Sequence, residues 1–259
     1  MLRDITLGQY YPSDSVIHKM DPRVKLFGTI VFIISLFLFQ KISVYVVATL
    51  FLAAVIMISK VPFSFMVKGL KGIFVLMMIT VVFNLFLTPG TTAFAIWKLK
   101  VTWEGIRQAA FMAVRLTYLI LGSSVLTLTT TPNNLTDGLE KALSPLKVIK
   151  VPVHEISMMM SIALRFIPIL LDETDKIMKA QMARCADFES GGLIKKAKSL
   201  VPLLVPLFIS AFRRANDLAM AMEARGYRGG EGRTKMKPLI YKKRDHVAYA
   251  VSYTHLTLP

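Results

Sequence analysis

The chain of 259 residues is 54% hydrophobic and has a mean hydropathy of +0.54, values too high for an ordinary soluble domain of this length. Its apolar residues are concentrated in runs, which indicates a membrane protein. The net charge of +16 also suits a nucleic-acid-binding protein, but in a membrane protein it indicates lysine and arginine gathered on the cytoplasmic side, and we favour that interpretation.

The first half of the chain contains four stretches with the composition of transmembrane helices: 26–40, 42–58, 72–88 and 105–130. Crossing a bilayer takes about 20 apolar residues, within a range of about 17–25. Asp21-Pro22 supplies an N-cap and a first helical residue for the first stretch. Only Gln40-Lys41 separates the first two stretches, which predicts a tight hairpin, and Trp103 suits the membrane interface before the fourth.

Positive charge decides the predicted orientation. Of the 32 lysine and arginine residues, 27 lie in residues 1–25, 59–71 and 132–245, which share one side of the membrane if the four stretches span it. The predicted loop at 59–71 contributes Lys60, Lys68 and Lys71. We therefore expect a multi-pass protein of the bacterial cytoplasmic membrane with its N-terminus inside.

A short helix is predicted directly after the fourth span. Asn133 or Asn134 caps it, and it runs through Leu143 with leucines on one face at a spacing of four. Pro145 ends this helix, and Pro152 keeps the following loop extended.

Two long helices are predicted next, at about Glu155–Arg184 and Leu193–Arg225, each with an apolar stripe at helical spacing. Arg165 interrupts the first, and the apolar run 199–212 in the second is too short for an ordinary span. We therefore predict amphipathic helices that lie at the cytoplasmic membrane surface and pack on each other. The alternative is a hairpin of two further spans.

The sequence contains no pattern that favours catalysis. Residues 229–232 lack the spacing and the lysine of a phosphate-binding loop, and the four histidines lack metal-ligand spacing. A single cysteine excludes an internal disulfide framework and a cysteine-based zinc site. Arg115, inside the fourth span, is better explained by pairing with a carbonyl or by facing a partner than by a role in transport. We expect a non-enzymatic protein that binds no cofactor or metal itself.

Each long helix ends in an Ala-Arg pair, in Ala183-Arg184-Cys185 and Ala224-Arg225-Gly226. Arginine is favourable at a helix C-terminus because the helix dipole is negative there. Glycine in the left-handed conformation ends a helix and exposes its tip. A guanidinium group on such a tip can bind a carboxylate of a partner protein through two hydrogen bonds, which is the functional alternative to ordinary C-terminal arginine placement.

From about residue 7 to 245, the order of these motifs resembles the transmembrane T component of energy-coupling factor (ECF) transporters. The matching segments are Gly8–Pro12, Asp21–Leu26, Thr131–Leu146, Gln181–Phe188 and Ala224–Tyr227. The resemblance implies an all-α membrane protein: four N-terminal transmembrane helices (1–131), a cytoplasmic domain with a pair of long crossed coupling helices (132–236), and a last span (237–259).

The resemblance also implies a function as membrane scaffold and coupling subunit of an ATP-driven importer. Two cytosolic P-loop ATPases use the ATP, and a small membrane subunit binds a vitamin or another micronutrient. Carried over by position, Arg184 and Arg225 are the tips that enter one groove on each ATPase, with their neighbours Ala183, Cys185, Ala224 and Gly226. The same helices offer apolar surface to the substrate-binding subunit, for which we single out four residues: Met160, Ile167, Leu204 and Leu207.

Two departures from the family pattern stand out. Cys185 occupies the position of a glycine, so we expect the first helix end to be shaped differently from the second. Residues 246–259 are too short and too polar for the last span of the family, so we expect a truncated or replaced C-terminus. The alternatives to a coupling subunit are a self-contained secondary carrier or channel, and a membrane adaptor for another cytosolic complex.

Overall fold

The computed structural model describes residues 10–39, 41–96, 99–186, 188, 192–229 and 238–257. The described part of the chain is 79% helical, which confirms the predicted all-α membrane class. Its elements are α1 (Pro22–Leu38), α2 (Ile42–Ser59), α3 (Phe63–Leu87), β1 (Thr92–Ile96), β2 (Leu99–Thr102), α4 (Trp103–Thr129), α5 (Pro132–Ala142), a 3-10 helix (Ser144–Ile149), α6 (Val153–Ala183), α7 (Leu193–Ala224) and α8 (Lys243–Thr257).

Contacts divide the chain into two compact units. The bundle unit comprises residues 8–141 and 239–259, and the helix-pair unit comprises residues 142–238, in both cases with the gaps given above. The helix α5 belongs to the bundle unit, although the predicted domain limits group it with the long helices.

The helix α4 organises the bundle unit because it packs against α1, α2 and α3. The buried core combines side chains of these four helices with Val61 of the α2–α3 connection: Phe32, Leu36, Tyr45, Ala48, Leu52, Val61, Met66, Leu121, Val125 and Leu128. Arg115 of α4 is also buried, and its Nε donates a hydrogen bond to the Tyr45 hydroxyl at 3.1 Å. The pairing expected for Arg115 therefore exists, with a tyrosine hydroxyl in place of a carbonyl.

Four helices among the described residues are long and apolar enough to cross a membrane by length and composition: α2, residues 69–87 of α3, α4 and α6. The helix α1 has 17 residues, at the lower end of the range for a span. Many apolar side chains of α1–α3 are exposed in the isolated chain, as a lipid-facing surface requires. The predicted spans therefore correspond to α1–α4, and α6 is a further span candidate.

Three local predictions were wrong. The predicted loop at 59–71 is helical from Phe63, because no proline follows Pro62 and the glycines at 69 and 72 are tolerated inside the helix. Asn133 and Asn134 lie inside α5, since the Thr131 hydroxyl accepts the hydrogen bond from the Asn134 N–H at the helix start.

The third error concerns the loop after Pro145, which is not extended. It forms a 3-10 helix, and Pro152 lies in a tight turn in which the Val153 N–H donates to the Val151 carbonyl at 2.8 Å. An antiparallel pair of strands, β1 and β2, also joins α3 to α4 and was not predicted. Gln40 of the predicted hairpin lies outside the described residues, but the connection between α1 and α2 is as short as expected.

A polar cluster ties α8 to the start of α1 in the bundle unit. The Asp21 side chain caps α1 as predicted, accepting a hydrogen bond from the Arg23 N–H at 2.9 Å. The Asp21 N–H in turn donates to the Asp245 carboxylate at 2.9 Å, and the Lys242 N–H donates to it at 2.8 Å. Asp245 is only 1% exposed. Its carboxylate thus satisfies two buried backbone donors on two segments that are far apart in sequence.

We expect Asp245→Asn to destabilise the bundle unit by about 1–3 kcal/mol, because an amide leaves one of the two backbone donors without an acceptor. Thermal unfolding of the purified protein in detergent measures this loss. The matched control is Asp14→Asn, since Asp14 forms an exposed ion pair with Lys19 that is worth little. Equal effects of the two substitutions would contradict the assigned role of Asp245.

The surroundings of His18 favour the neutral form of its ring. Its Nε2 lies 2.9 Å from the Tyr11 carbonyl oxygen, and its Nδ1 lies 2.7 Å from the Ser15 hydroxyl. These partners suit a neutral ring that donates through Nε2–H and accepts at Nδ1. Burial lowers the pKa of His18 below 6.5, although the hydrogen bond to Tyr11 acts in the opposite direction.

Because the folded pKa of His18 is lowered, the unfolded chain binds the proton more readily, and stability contributed by neutral His18 falls as pH drops through 6.5. We expect the melting temperature to decrease between pH 7 and pH 5, and His18→Gln to weaken this dependence. The exposed His246 provides the control substitution, His246→Gln. A pH dependence that survives His18→Gln unchanged would assign it to another group.

Candidate functional site

The helix-pair unit consists mainly of α6 and α7, which pack against each other in antiparallel orientation. Near one end, the Gln181 side-chain N–H donates to the Pro202 carbonyl at 3.4 Å. Near the other end, Ile162 and Met222 line the same cavity of about 280 Å³ between the helices. Residue numbers therefore rise along α6 as they fall along the facing surface of α7.

A charged link fixes the two helices near the middle of their contact. The Glu173 carboxylate accepts hydrogen bonds from the Ser210 hydroxyl and from Arg214 Nη2, the latter at 2.8 Å. This link was not predicted from the sequence. The helix α6 carries three acidic residues near its middle, Asp172, Glu173 and Asp175, and α7 carries Arg213-Arg214, but which of them pair depends on the helix register.

The end of α6 is closed by a left-handed residue. Cys185 has φ +64°, its N–H donates to the Met182 carbonyl at 3.0 Å, and the Ala186 N–H donates to the Gln181 carbonyl at 3.0 Å. These two bonds form the Schellman pattern, which satisfies carbonyls that the helix leaves unpaired. Arg184 is the C-cap residue, and its side chain is exposed.

The end of α7 has the same structure. Gly226 has φ +71°, its N–H donates to the Glu223 carbonyl at 2.8 Å, and the Tyr227 N–H donates to the Met222 carbonyl at 3.0 Å. Arg225 is the exposed C-cap residue. Each arginine follows an exposed alanine, Ala183 or Ala224, so no large side chain precedes it at the tip.

The expectation that Cys185 changes the shape of the first helix end was wrong. Its backbone takes the left-handed conformation that Gly226 takes, and the same two hydrogen bonds form at both ends. A side chain in this conformation costs roughly 1–2 kcal/mol. The two capping hydrogen bonds offset this cost. The Cys185 thiol is exposed, so it adds no steric clash.

The two arginine tips lie near opposite ends of the helix pair. Arg184 follows Gln181, which contacts Pro202, whereas Arg225 follows Met222, which shares a cavity with Ile162. The stretch of α6 from Ile162 to Arg184 has a length of about 30 Å at 1.5 Å per residue. The pair thus presents two equivalent cationic ends that are too far apart to enter one small pocket.

The four residues singled out for a membrane partner divide into two groups. Met160 and Ile167 lie on α6 but outside the cavity it shares with α7. Leu204 and Leu207 lie on the N-terminal half of α7, where exposed apolar side chains are concentrated: Leu200, Val201, Leu204, Val205, Phe208, Ile209 and Phe212. Both helices therefore keep apolar surface that the helix pair does not bury.

Comparison with known proteins identifies the family. The sequence model of the family described as cobalt transport protein matches residues 13–236. The energy-coupling factor transporter transmembrane protein of Clostridium kluyveri is 58% identical over 250 residues, which are 96% of this chain and 93% of that protein. The protein of the same name from Bacillus subtilis is 49% identical over 246 residues, covering 95% of this chain and 93% of its own length.

This chain belongs to the family of energy-coupling factor transporter transmembrane proteins. The membership confirms the resemblance stated from the sequence, and it fits a transporter component of the cell membrane with several apolar helices. The match extends through both long helices and both arginine tips. The roles of the tips and of the apolar residues on α6 and α7 stay predictions.

Two substitutions with opposite expected effects test the left-handed backbone conformation at Cys185 and Gly226. We expect Cys185→Gly to stabilise the end of α6 by about 1 kcal/mol, and Gly226→Ala to destabilise the end of α7 by a similar amount. A Cβ at Gly226 meets no atom within 4 Å, so its cost comes from the backbone conformation alone. Hydrogen exchange of the Ala186 and Tyr227 amides measures each effect.

The control for these substitutions is Gly192→Ala. Gly192 has φ −71° and open space around the added Cβ, so it gains no strain. If Cys185→Gly speeds exchange at Ala186, the left-handed cap at Cys185 is not the conformation in solution.

Proposed function

We propose that this chain is the T component of an ECF-type importer, the membrane scaffold that transmits ATP-driven motion of two cytosolic ATPases to a substrate-binding membrane subunit. The observation that carries the proposal is the pair of equivalent arginine tips at opposite ends of α6 and α7. Two equal tips suit two similar partners, one for each tip. Family membership and the names of the relatives support the same assignment.

The orientation follows from the charge distribution. With the N-terminus and both tips in the cytoplasm, 27 of the 32 lysine and arginine residues are on the cytoplasmic side. The tips then face the compartment that contains ATP and soluble ATPases. The described chain gathers no group for ATP chemistry at the tips, so the energy is supplied by the partners.

Motion is transmitted through the helix pair. An ATPase groove with a carboxylate can hold an arginine tip through charge-assisted hydrogen bonds. The Glu173 carboxylate, bound by Ser210 and Arg214, joins the two helices, so displacement of one tip moves both helices. A membrane subunit that packs on the exposed apolar surface of α7 at 200–212 moves together with this helix. The cargo is a vitamin or another micronutrient that the substrate-binding subunit selects.

Charge reversal tests the tips. We expect Arg184→Glu and Arg225→Glu each to weaken retention of the ATPases about 10- to 100-fold, since each removes a charge-assisted hydrogen-bond donor at one end. The double substitution abolishes retention and uptake. The measurement is co-purification of the two ATPases in detergent, followed by ATP-dependent uptake in vesicles that also contain the substrate-binding subunit.

The matched controls are Arg165→Glu on α6 and Arg213→Glu on α7, which reverse exposed charges away from the tips. Normal assembly and uptake by the double tip variant would rule out this mechanism. Uptake by vesicles that contain this chain alone would instead support a self-contained carrier.

A further inference from the structure

The bundle unit contains an apolar cavity that the proposed coupling function does not use. Its volume is about 440 Å³, within the usual range of small-ligand sites and far too small for a helix. Its walls come from the segment before α1 and from α1, α2, α4 and α8. Typical lining residues are Val24, Phe32, Leu52, Val125 and Ala248.

The cavity opens to the exterior of the bundle unit beside α8. Val247 and Val251 of α8 line it, although they are 62% and 43% exposed. Its outer wall is therefore part of the apolar exterior. A ligand can reach it from the acyl-chain region of the bilayer.

One end of the cavity carries positive charge. Lys25 is the fourth residue of α1 and Arg244 is the second residue of α8, and both line the cavity together with Thr129, the last residue of α4. Three helix ends meet at this level, which is where a membrane face is expected. The opposite end, near Phe32, is apolar.

The acidic residues near this end are already engaged. Asp14 pairs with Lys19, Asp21 pairs with Arg23, and Asp245 accepts from two backbone N–H groups. The acids Asp137 and Glu140 of α5 also lie near this end, because Gly138 packs on Pro22 and Arg23. The basic residues at this end are more numerous: Lys19, Arg23, Lys25, Lys60, Lys141, Lys242, Lys243 and Arg244. The net charge at this end of the bundle unit is therefore positive, as it is at sites that bind anionic lipid headgroups.

Arg244 has hydrogen-bonding capacity left over. Its Nη2 donates to the Lys19 carbonyl, but its Nε is buried and has no partner among the described residues. Arg244 as a whole is partly exposed and lines the cavity, so the charge of its guanidinium group favours an anionic group there. Lys25 differs, because its ammonium group already donates to the Thr129 carbonyl at 2.9 Å and to the Thr130 hydroxyl at 3.2 Å.

We infer that this cavity binds one anionic phospholipid, with an acyl chain between α1, α2, α4 and α8 and the phosphate at Arg244. Apolar walls open to the lipid phase select an acyl chain. The positive charge of Lys25 and Arg244 at the membrane face selects an anionic headgroup. The lipid then acts as a structural part of the bundle, because it contacts α8 on one side and α1, α2 and α4 on the other.

Thermal unfolding of the purified chain in detergent tests the inference, with three probes: phosphatidylglycerol, phosphatidylcholine with the same acyl chains, and glycerol phosphate. A ligand that binds only the folded state raises the melting temperature in proportion to its affinity and concentration. We expect phosphatidylglycerol to raise it clearly, phosphatidylcholine to raise it less, and glycerol phosphate, which lacks acyl chains, to leave it unchanged.

Two substitutions, each with a matched control, test where the lipid binds. Arg244→Gln is expected to weaken the response to phosphatidylglycerol about tenfold in concentration, whereas Arg107→Gln, an exposed arginine at the other end of α4, leaves it unchanged. Ala248→Leu fills the cavity and removes the response, whereas Ala250→Leu, on the exposed side of α8, does not.

Equal responses to the two phospholipids would overturn the headgroup assignment, and a full response in Ala248→Leu would show that the lipid binds elsewhere. No response to any lipid in the unaltered chain would mean that another segment or a partner protein covers the cavity, which also overturns the inference. If Ala248→Leu does not fold, the comparison of Arg244→Gln with Arg107→Gln decides the question alone.

Discussion

The structure depends on one constraint, which is that a membrane offers no water to the backbone, so each helix has to satisfy its own hydrogen bonds and close its own ends. Inside α1–α4, the backbone N–H and C=O groups pair with each other within the same helix. Their ends need side chains, and Asp21, Thr102 and Thr131 supply the acceptors at three helix starts. Left-handed Cys185 and Gly226 close two helix ends by backbone bonds alone. The two arginine tips lie at such ends.

A closed helix end makes a good contact point because it is rigid and its carbonyls are already paired. At α6 and α7, the cap turns the chain away directly after the arginine, which leaves Arg184 and Arg225 exposed on the tips. The antiparallel packing then separates the tips by the length of the pair. At the start of α8, the Asp245 carboxylate likewise accepts hydrogen bonds from two backbone N–H groups, and the neighbouring Arg244 lines the apolar cavity.

Much of this arrangement was predictable because it depends on local chemistry. Apolar length predicts α2 and α4 within about two residues, since hydrophobic runs and their polar limits are short-range signals. The Asp21 cap and the limits of α6 and α7 were predictable for the same reason. The start of α3 was not, because lysines at 68 and 71 suggested a loop while the backbone between them has no reason to leave the helix. Cys185 was misjudged because the preference of one side chain was weighed without the two capping bonds.

The sequence by itself determined the class of the protein, its family, the positions of the long helices and the two arginine tips, because these follow from composition, periodicity and motif order. Only the tertiary structure decided how α6 and α7 face each other, which pairs Glu173 with Arg214 and places the tips at opposite ends. It also decided that Asp21 and Asp245, 224 residues apart, share one polar cluster and that a cavity forms beside it. Register and long-range contact bring these groups together, and neither leaves a local signal in the chain.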